Sequence, residues 1–271
     1  MKFQLKALAV ALALVATVPA QAAMTTAVTG NSSLVLAVYD RTANISALFD
    51  LGKNFSDFNV AGASFADSGI TNPGTIINWD LSSGDYATAW STYFATATAA
   101  NTSYAVVAQD NLGAGAGNRS LISTYSALAT NPTTGQLQTI AGNFDSLLGN
   151  NQTQGQVVLQ NHTTVDNGGS VAISGGAYSP NYFLQNRNFM LGPIASGAIG
   201  TSLGVFQYTS AATTFVTPTL TIFQNQAGAA KFTLGTTGAL QYIAPVPEAD
   251  TWAMMLLGLG FMGFVARKKQ A

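Results

Sequence analysis

The chain has 271 residues, 48% of them hydrophobic and only 8% charged, against about 25% charged in an average soluble protein. Ten basic and eleven acidic residues leave a formal charge of −1, so the clustered basic face that nucleic-acid binding needs is missing. Zero cysteines exclude disulfides, thiolate nucleophiles, iron–sulfur clusters and cysteine-bound zinc, and the single histidine, His162, leaves no partner for a histidine-based metal site.

At the start, Lys2 and Lys6 precede the apolar run Ala7 to Ala16, and Pro19 leads into Ala20-Gln21-Ala22, a small-x-small cleavage site. This is the pattern of a secretory signal peptide over residues 1–22, read by Sec-type machinery and removed by signal peptidase. A buried N-terminal helix would need polar positions at helical spacing, and none falls between Ala7 and Ala16. The mature chain is expected to begin near Ala23, outside the cytoplasm.

Residues 23–244 read as one extracellular domain. Leu34 to Tyr39 and Ile45 to Phe49 form an opening hairpin across the turn-forming stretch Asp40 to Asn44. Further strands are expected over Tyr104 to Gln109, Ser120 to Tyr125, Gln156 to Gln160, Leu203 to Thr209, Thr219 to Gln224, Lys231 to Leu234 and Ala239 to Ile243. In the last third Phe215, Leu220, Ile222, Phe232, Leu234, Leu240 and Tyr242 supply the period-two alternation of half-buried antiparallel strands. Two helices interrupt the strands. After Ser83-Gly84-Asp85, residues Tyr86, Trp90, Tyr93, Phe94 and Ala97 recur at helical spacing. From Thr134 onward, Leu137, Ile140, Ala141, Phe144, Leu147 and Leu148 trace one face, closed by Gly149-Asn150. Both stripes read as core packing rather than ligand lining. The expected fold is mainly β, an antiparallel two-layer β-sandwich of about eight to ten strands with two inserted α-helices.

Reactive constellations are scarce. Gly200-Thr201-Ser202-Leu203-Gly204 fits G-x-S-x-G, but a nucleophile elbow puts its serine on a strand-to-helix turn with the histidine downstream. Here His162 lies upstream and the residues after Ser202 read as strand. The surroundings of His162 are polar and loop-like. Asp40, Asp50, Asp80, Asp110 and Asp145 show no spacing that selects a catalytic pair, and the only glutamate is Glu248. Asp166-Asn167-Gly168-Gly169 and Asp110-Asn111 suit either calcium or ordinary turns, and lack the ladder of an EF-hand. Gly113 to Gly117 lacks the lysine and Ser/Thr ending of a phosphate loop. No catalytic residue, cofactor ligand or metal ligand is assigned.

The far end carries the strongest pattern. Val246-Pro247-Glu248-Ala249 precedes an uncharged stretch over residues 251–266 and then Arg267-Lys268-Lys269. Sixteen helical residues reach about 24 Å, slightly short of a bilayer core of about 30 Å. Trp252 suits one interface, and the basic cluster stays cytoplasmic, leaving the body outside. Motif, Gly-punctuated apolar helix, basic cluster and signal peptide together make residues 245–271 resemble the PEP-CTERM protein-sorting signal recognised by exosortases. Ala249 departs from the family's pattern, which has a second proline there.

The resemblance implies an exosortase-like transpeptidase as a partner, cleavage near Pro247-Glu248 and passage through the inner membrane as an intermediate or an anchor. It further implies a place at the cell surface or in the extracellular matrix of a Gram-negative bacterium. The expected role is a non-enzymatic component of an exopolysaccharide-associated biofilm or floc matrix, with extracellular polysaccharide as its partner. A secreted hydrolase, a carbohydrate-binding module and a β-fibril subunit stand as alternatives.

Overall fold

The computed structural model describes residues 24–25, 30–40, 42–43, 45–60, 69–110, 119–127, 157–159, 169–172, 196–210 and 215–246, with single positions at 133–135, 137, 140, 144, 148, 257 and 259. The expected signal peptide, residues 1–22, lies outside them. The opening hairpin joins β1 (Ser33–Asp40) to β2 (Ile45–Asn54). Asp40 Oδ1 closes its turn, accepting the N–H groups of Thr42 (2.8 Å) and Ala43 (2.9 Å). A single helical turn, Phe55–Phe58, and β3 (Ile76–Asp80) follow. The first expected helix is a 3₁₀ turn at Gly84–Tyr86 running into an α-helix at Ala87–Phe94.

The remaining strands are β4 (Thr102–Asp110), β5 (Ser120–Tyr125), β6 (Val157–Leu159), β7 (Gly169–Ala172), β8 (Gly197–Ala198), β9 (Ser202–Thr209), β10 (Thr219–Ile222), β11 (Gln224–Asn225), β12 (Gly228–Ala229), β13 (Lys231–Leu234) and β14 (Ala239–Ile243). Among the described residues, one twelve-stranded antiparallel sheet runs in the order β3-β14-β13-β9-β5-β4-β1-β2-β7-β6, with β10 beside β9 and β8 beside β4. The small hairpin β11–β12 stands apart.

The architecture corrects the expected sandwich: the strands form one curled, nearly closed sheet rather than two stacked layers. Twist accumulates across a long sheet, and it carries β3 round to face the far half of β2, beyond the residues that β7 pairs. Two side chains bridge that seam. Trp79 Nε1 donates to the Leu51 carbonyl at 2.7 Å, and the Tyr86 hydroxyl donates to the Asp50 carbonyl at 2.7 Å. A sandwich and a curled sheet impose the same alternation on each strand, so the pattern in the sequence does not separate them.

Alternate residues of the long strands point into the curl. Leu36, Phe49, Val106, Val205, Phe232 and Tyr242 join one buried cluster, into which Trp90 and Tyr93 of the Ala87–Phe94 helix and Phe55 and Phe58 of the short turn also pack. Rings stack at the centre: Phe232 lies 5.9 Å from Phe58, 6.0 Å from Trp79 and 5.0 Å from Tyr242. Several buried polar groups of this core are hydrogen-bonded, which offsets their desolvation. Tyr104 donates to the carbonyls of Thr201 and Phe232, Tyr242 to that of Ile70, and Gln207 binds Asn59 and the Val60 amide. Burial pushes the phenols of Tyr104 and Tyr242 well above the ordinary tyrosine range.

The convex face has its own core over β1, β4, β5 and β9. Val35, Ala37, Val107, Leu121, Phe206 and Tyr208 point outward there and are covered by Leu137, Ile140, Phe144 and Leu148. Those four positions are helical, as the second expected helix requires. Two local expectations fail. Phe215, read as an inward residue, is 91% exposed, and the strand expected through Gln224 breaks at buried Phe223 into β10 and β11.

Candidate functional site

The C-terminal signal emerges from the sheet at β14. The ladder between β14 and β3 ends with the pair Ile243 and Ile76. One more residue is then tied down: the Ala244 N–H donates to the Thr75 carbonyl at 2.9 Å, and the Gly74 N–H donates to the Ala244 carbonyl at 3.0 Å. Gly74 can present its backbone this way because its φ of +83° is open to glycine. Asn225 makes the last tie, its Nδ2 donating to the carbonyls of Pro245 (2.8 Å) and Thr71 (3.0 Å). Ala244 is fully buried, whereas Val246 is 60% exposed. Among the described residues the last backbone hydrogen bond from the body to the chain is at Pro245, one residue before the first residue of the sorting motif.

Of the residues assigned to that signal, only Val246 is described in detail. Pro247, Glu248, Ala249, Trp252, Arg267, Lys268 and Lys269 lie outside the described residues. Within the 251–266 stretch, Leu257 and Leu259 are helical and exposed. Among the described residues no helix is long and apolar enough to cross a membrane.

A shallow groove of about 300 Å³ lies beside this exit, lined by Ser202, Gly228, Lys231, Thr233, Ile243 and Pro245. It brings the serine of the G-x-S-x-G match next to the chain exit, which sequence reasoning did not foresee. Ser202 sits at the start of β9, directly across from Thr233, and their hydroxyl oxygens are 2.7 Å apart. A threonine is no base, and an extended strand is no elbow, so the described residues around Ser202 do not build the geometry that activates a serine. Gly204 has a packing reason instead. It pairs with Tyr125 of β5, and an added Cβ would overlap the Tyr125 ring.

The aspartates serve local structure. Asp40 is buried at the end of β1 and accepts from Thr98 N (2.8 Å) as well as from its own turn. Desolvation would raise its pKa, but these hydrogen bonds outweigh it and hold the carboxyl below the usual range. Asp50 goes the other way, its pKa raised by burial despite hydrogen bonds from Gly52 and Ser33. Asp80 is fixed by Ser82 and Ser83, which lower its pKa. Asp110 ends β4. Among the described residues no three acidic or histidine side chains gather to hold a metal ion. His162, Asp145, the 113–117 glycine loop, Asn111 and residues 166–168 lie outside the described residues.

A β-rich body whose last strand leads directly into a sorting segment defines a class of protein, one carrying a C-terminal address. Residues 245–269 match the family model of the PEP-CTERM protein-sorting motif, so the chain carries that motif. The motif implies export, membrane-associated sorting and exosortase processing, with a destination at the bacterial cell surface or beyond it. No curated protein and no solved structure matches the chain.

Proposed function

We propose that the chain is a non-enzymatic structural protein of an exopolysaccharide-associated biofilm or floc matrix, delivered by an exosortase-like transpeptidase. In this reading residues 1–22 direct Sec-dependent export. Residues 251–266 hold the intermediate in the inner membrane of a Gram-negative cell, with Arg267, Lys268 and Lys269 on the cytoplasmic side. Cleavage near Pro247-Glu248 then releases the body.

The observation that carries the reading is the release point. Proteases and transpeptidases need extended, accessible backbone, and among the described residues the last backbone tie to the body is the Pro245 carbonyl, with Val246 exposed beyond it. Processing at Pro247-Glu248 therefore leaves β14 and its ladder untouched. The convex face over β3, β14 and β13 supports a matrix role, because Asn78, Gln241, Thr233 and Ser202 line it with amide and hydroxyl groups suited to sugar hydroxyls.

The test is the intact mass of the protein from its native host, taken separately from membranes and from the extracellular fraction. The expected extracellular species begins near Ala23 and lacks the residues after the Pro247-Glu248 region, and Glu248→Ala leaves the full chain in the membrane fraction. An extracellular species that retains residues through Ala271 would overturn the sorting reading.

A further inference from the structure

We propose that the convex surface around the chain exit, built by Ile76, Ile243 and Val246 with Lys231, is a membrane-contact face that rests on the lipid headgroups while the chain is held by residues 251–266. This inference rests on the membrane-held intermediate proposed above.

Three apolar side chains meet at the exit and face outward. Ile76 is 55% exposed, Ile243 37% and Val246 60%. Ile76 and Ile243 are cross-strand partners at the end of β3 and β14, and a methyl added at Gly74 would stand 3.4 Å from Val246 Cγ2, which places Val246 beside them. Lys231 is the register partner of Ile243 on the other side and is also exposed. Edge strands ordinarily carry charge on such positions to stay soluble. Here the outward residues are graded along the strands instead. They run from Asp80 opposite Ala239, through Asn78 hydrogen-bonded to Gln241 at 2.8 Å, to the isoleucine pair. Along β3 and β14 polarity falls toward the point where the chain leaves, while Lys231 of β13 sets one cation beside the isoleucine pair.

Chain length fixes what lies against this end. Only residues 246–250 separate Pro245 from the apolar stretch that starts at Thr251. Fully extended, that linker spans no more than about 20 Å, so the exit end of the body stands within or against the headgroup layer when the stretch is inserted. The gradient then follows depth: isoleucine and valine reach the acyl boundary, lysine meets lipid phosphates, and the amides and Asp80 stay in water. After cleavage the face is released with the body.

The chain has no cysteine, so single-cysteine labelling is unambiguous. Full-length Ile76→Cys, Ile243→Cys and Thr236→Cys variants, labelled with an environment-sensitive fluorophore, would be reconstituted into phosphatidylcholine–phosphatidylglycerol vesicles with and without brominated lipid. Thr236 lies at the opposite end of the β13–β14 hairpin and is exposed. The expected result is quenching by brominated lipid about threefold stronger at positions 76 and 243 than at 236, as a face embedded at the headgroup boundary requires. Equal, weak quenching at all three sites in a chain that resists alkaline carbonate extraction overturns the face and leaves the anchor standing. Extraction of the chain by carbonate overturns the anchor reading and this inference with it. Concentration-dependent excimer emission from pyrene placed at Ile243→Cys assigns the face to a second copy of the chain and overturns the membrane contact.

Discussion

Strands β1 and β13 belong to the same sheet and bury different shares of their residues. All eight residues of β1 are buried, whereas in β13 the exposed Lys231 and half-buried Thr233 alternate with buried Phe232 and Leu234. The inner cluster serves both strands alike. The difference comes from the convex side, where Leu137, Ile140, Phe144 and Leu148 lie over β1, β4, β5 and β9 and nothing comparable is described over β13, β14 and β3. An antiparallel strand loses its alternation wherever a helix closes its second face, so the outward apolar residues Val35 and Ala37 within the run Leu34 to Val38 are the imprint of that helix on a distant segment.

The sharpest way to break this comparison is to empty one core at a time. Phe232→Ala removes a fully buried ring from the inner cluster, and Phe144→Ala removes one from the convex cluster. If both faces are true cores, each substitution lowers unfolding free energy by about 3–5 kcal/mol in urea titrations of the purified protein. A Phe144→Ala cost below about 1 kcal/mol, in the range of a surface site, would mean that the helix only rests on the sheet.

Two aspartates sharpen the contrast next, because they respond to acid in opposite directions. Asp40 has a depressed pKa and is held by Thr42, Ala43 and Thr98. Its contribution is present above the ordinary carboxyl range and is lost as pH falls through its lowered folded value. Asp50 has a raised pKa, so its contribution is largest when it is protonated and fades as pH rises through that value. Asp40→Asn is therefore expected to cost about 2–3 kcal/mol at neutral pH, since it weakens hydrogen bonds to a charged acceptor. Asp50→Asn costs less there, and the gap between the two variants narrows as pH falls toward about 4. Urea midpoints measured across that range decide it, and a gap that widens toward acid would reverse the assignment.

Most elements were legible because their signals are local. The hairpin, the strands at 104–109, 120–125, 203–209, 231–234 and 239–243, and both helix stripes depend only on neighbouring side chains. The sorting motif was legible for the same reason, being a contiguous run recognised as such. What escaped is set by distance. β3 carries Ile76 outward and Trp79 inward, so its hydrophobic pattern is blurred by the very isoleucine that the exit end exposes. Closure of the sheet depends on Trp79 reaching Leu51 and Tyr86 reaching Asp50, contacts between segments 28 and 36 residues apart that no periodicity encodes. The meeting of Ser202, Lys231 and Pro245 in one groove likewise arises from sheet order, which the sequence does not spell out.

The smallest expected effects test where the covered half of the sheet gives way to the bare half, at the two ends of the Ser202-Leu203-Gly204 segment. Gly204 lies under Tyr125, which packs at the rim of the convex cluster 5.9 Å from Phe206. Gly204→Ala must push that ring aside, at about 1–3 kcal/mol. Two residues earlier, Ser202 is exposed and its hydroxyl pairs with that of Thr233 among the described residues, so Ser202→Ala costs about 0.5 kcal/mol or less. The pair discriminates between two reasons for the same motif. A nucleophile elbow makes the serine indispensable to activity and tolerates small residues at the glycine ends, whereas an aromatic lid over a strand makes Gly204 sensitive and Ser202 neutral. Thermal melts of both variants, read together with hydrolysis of the host's own polysaccharide, separate them. Loss of a measurable hydrolysis in Ser202→Ala, with an unchanged melting temperature, would return the motif to chemistry.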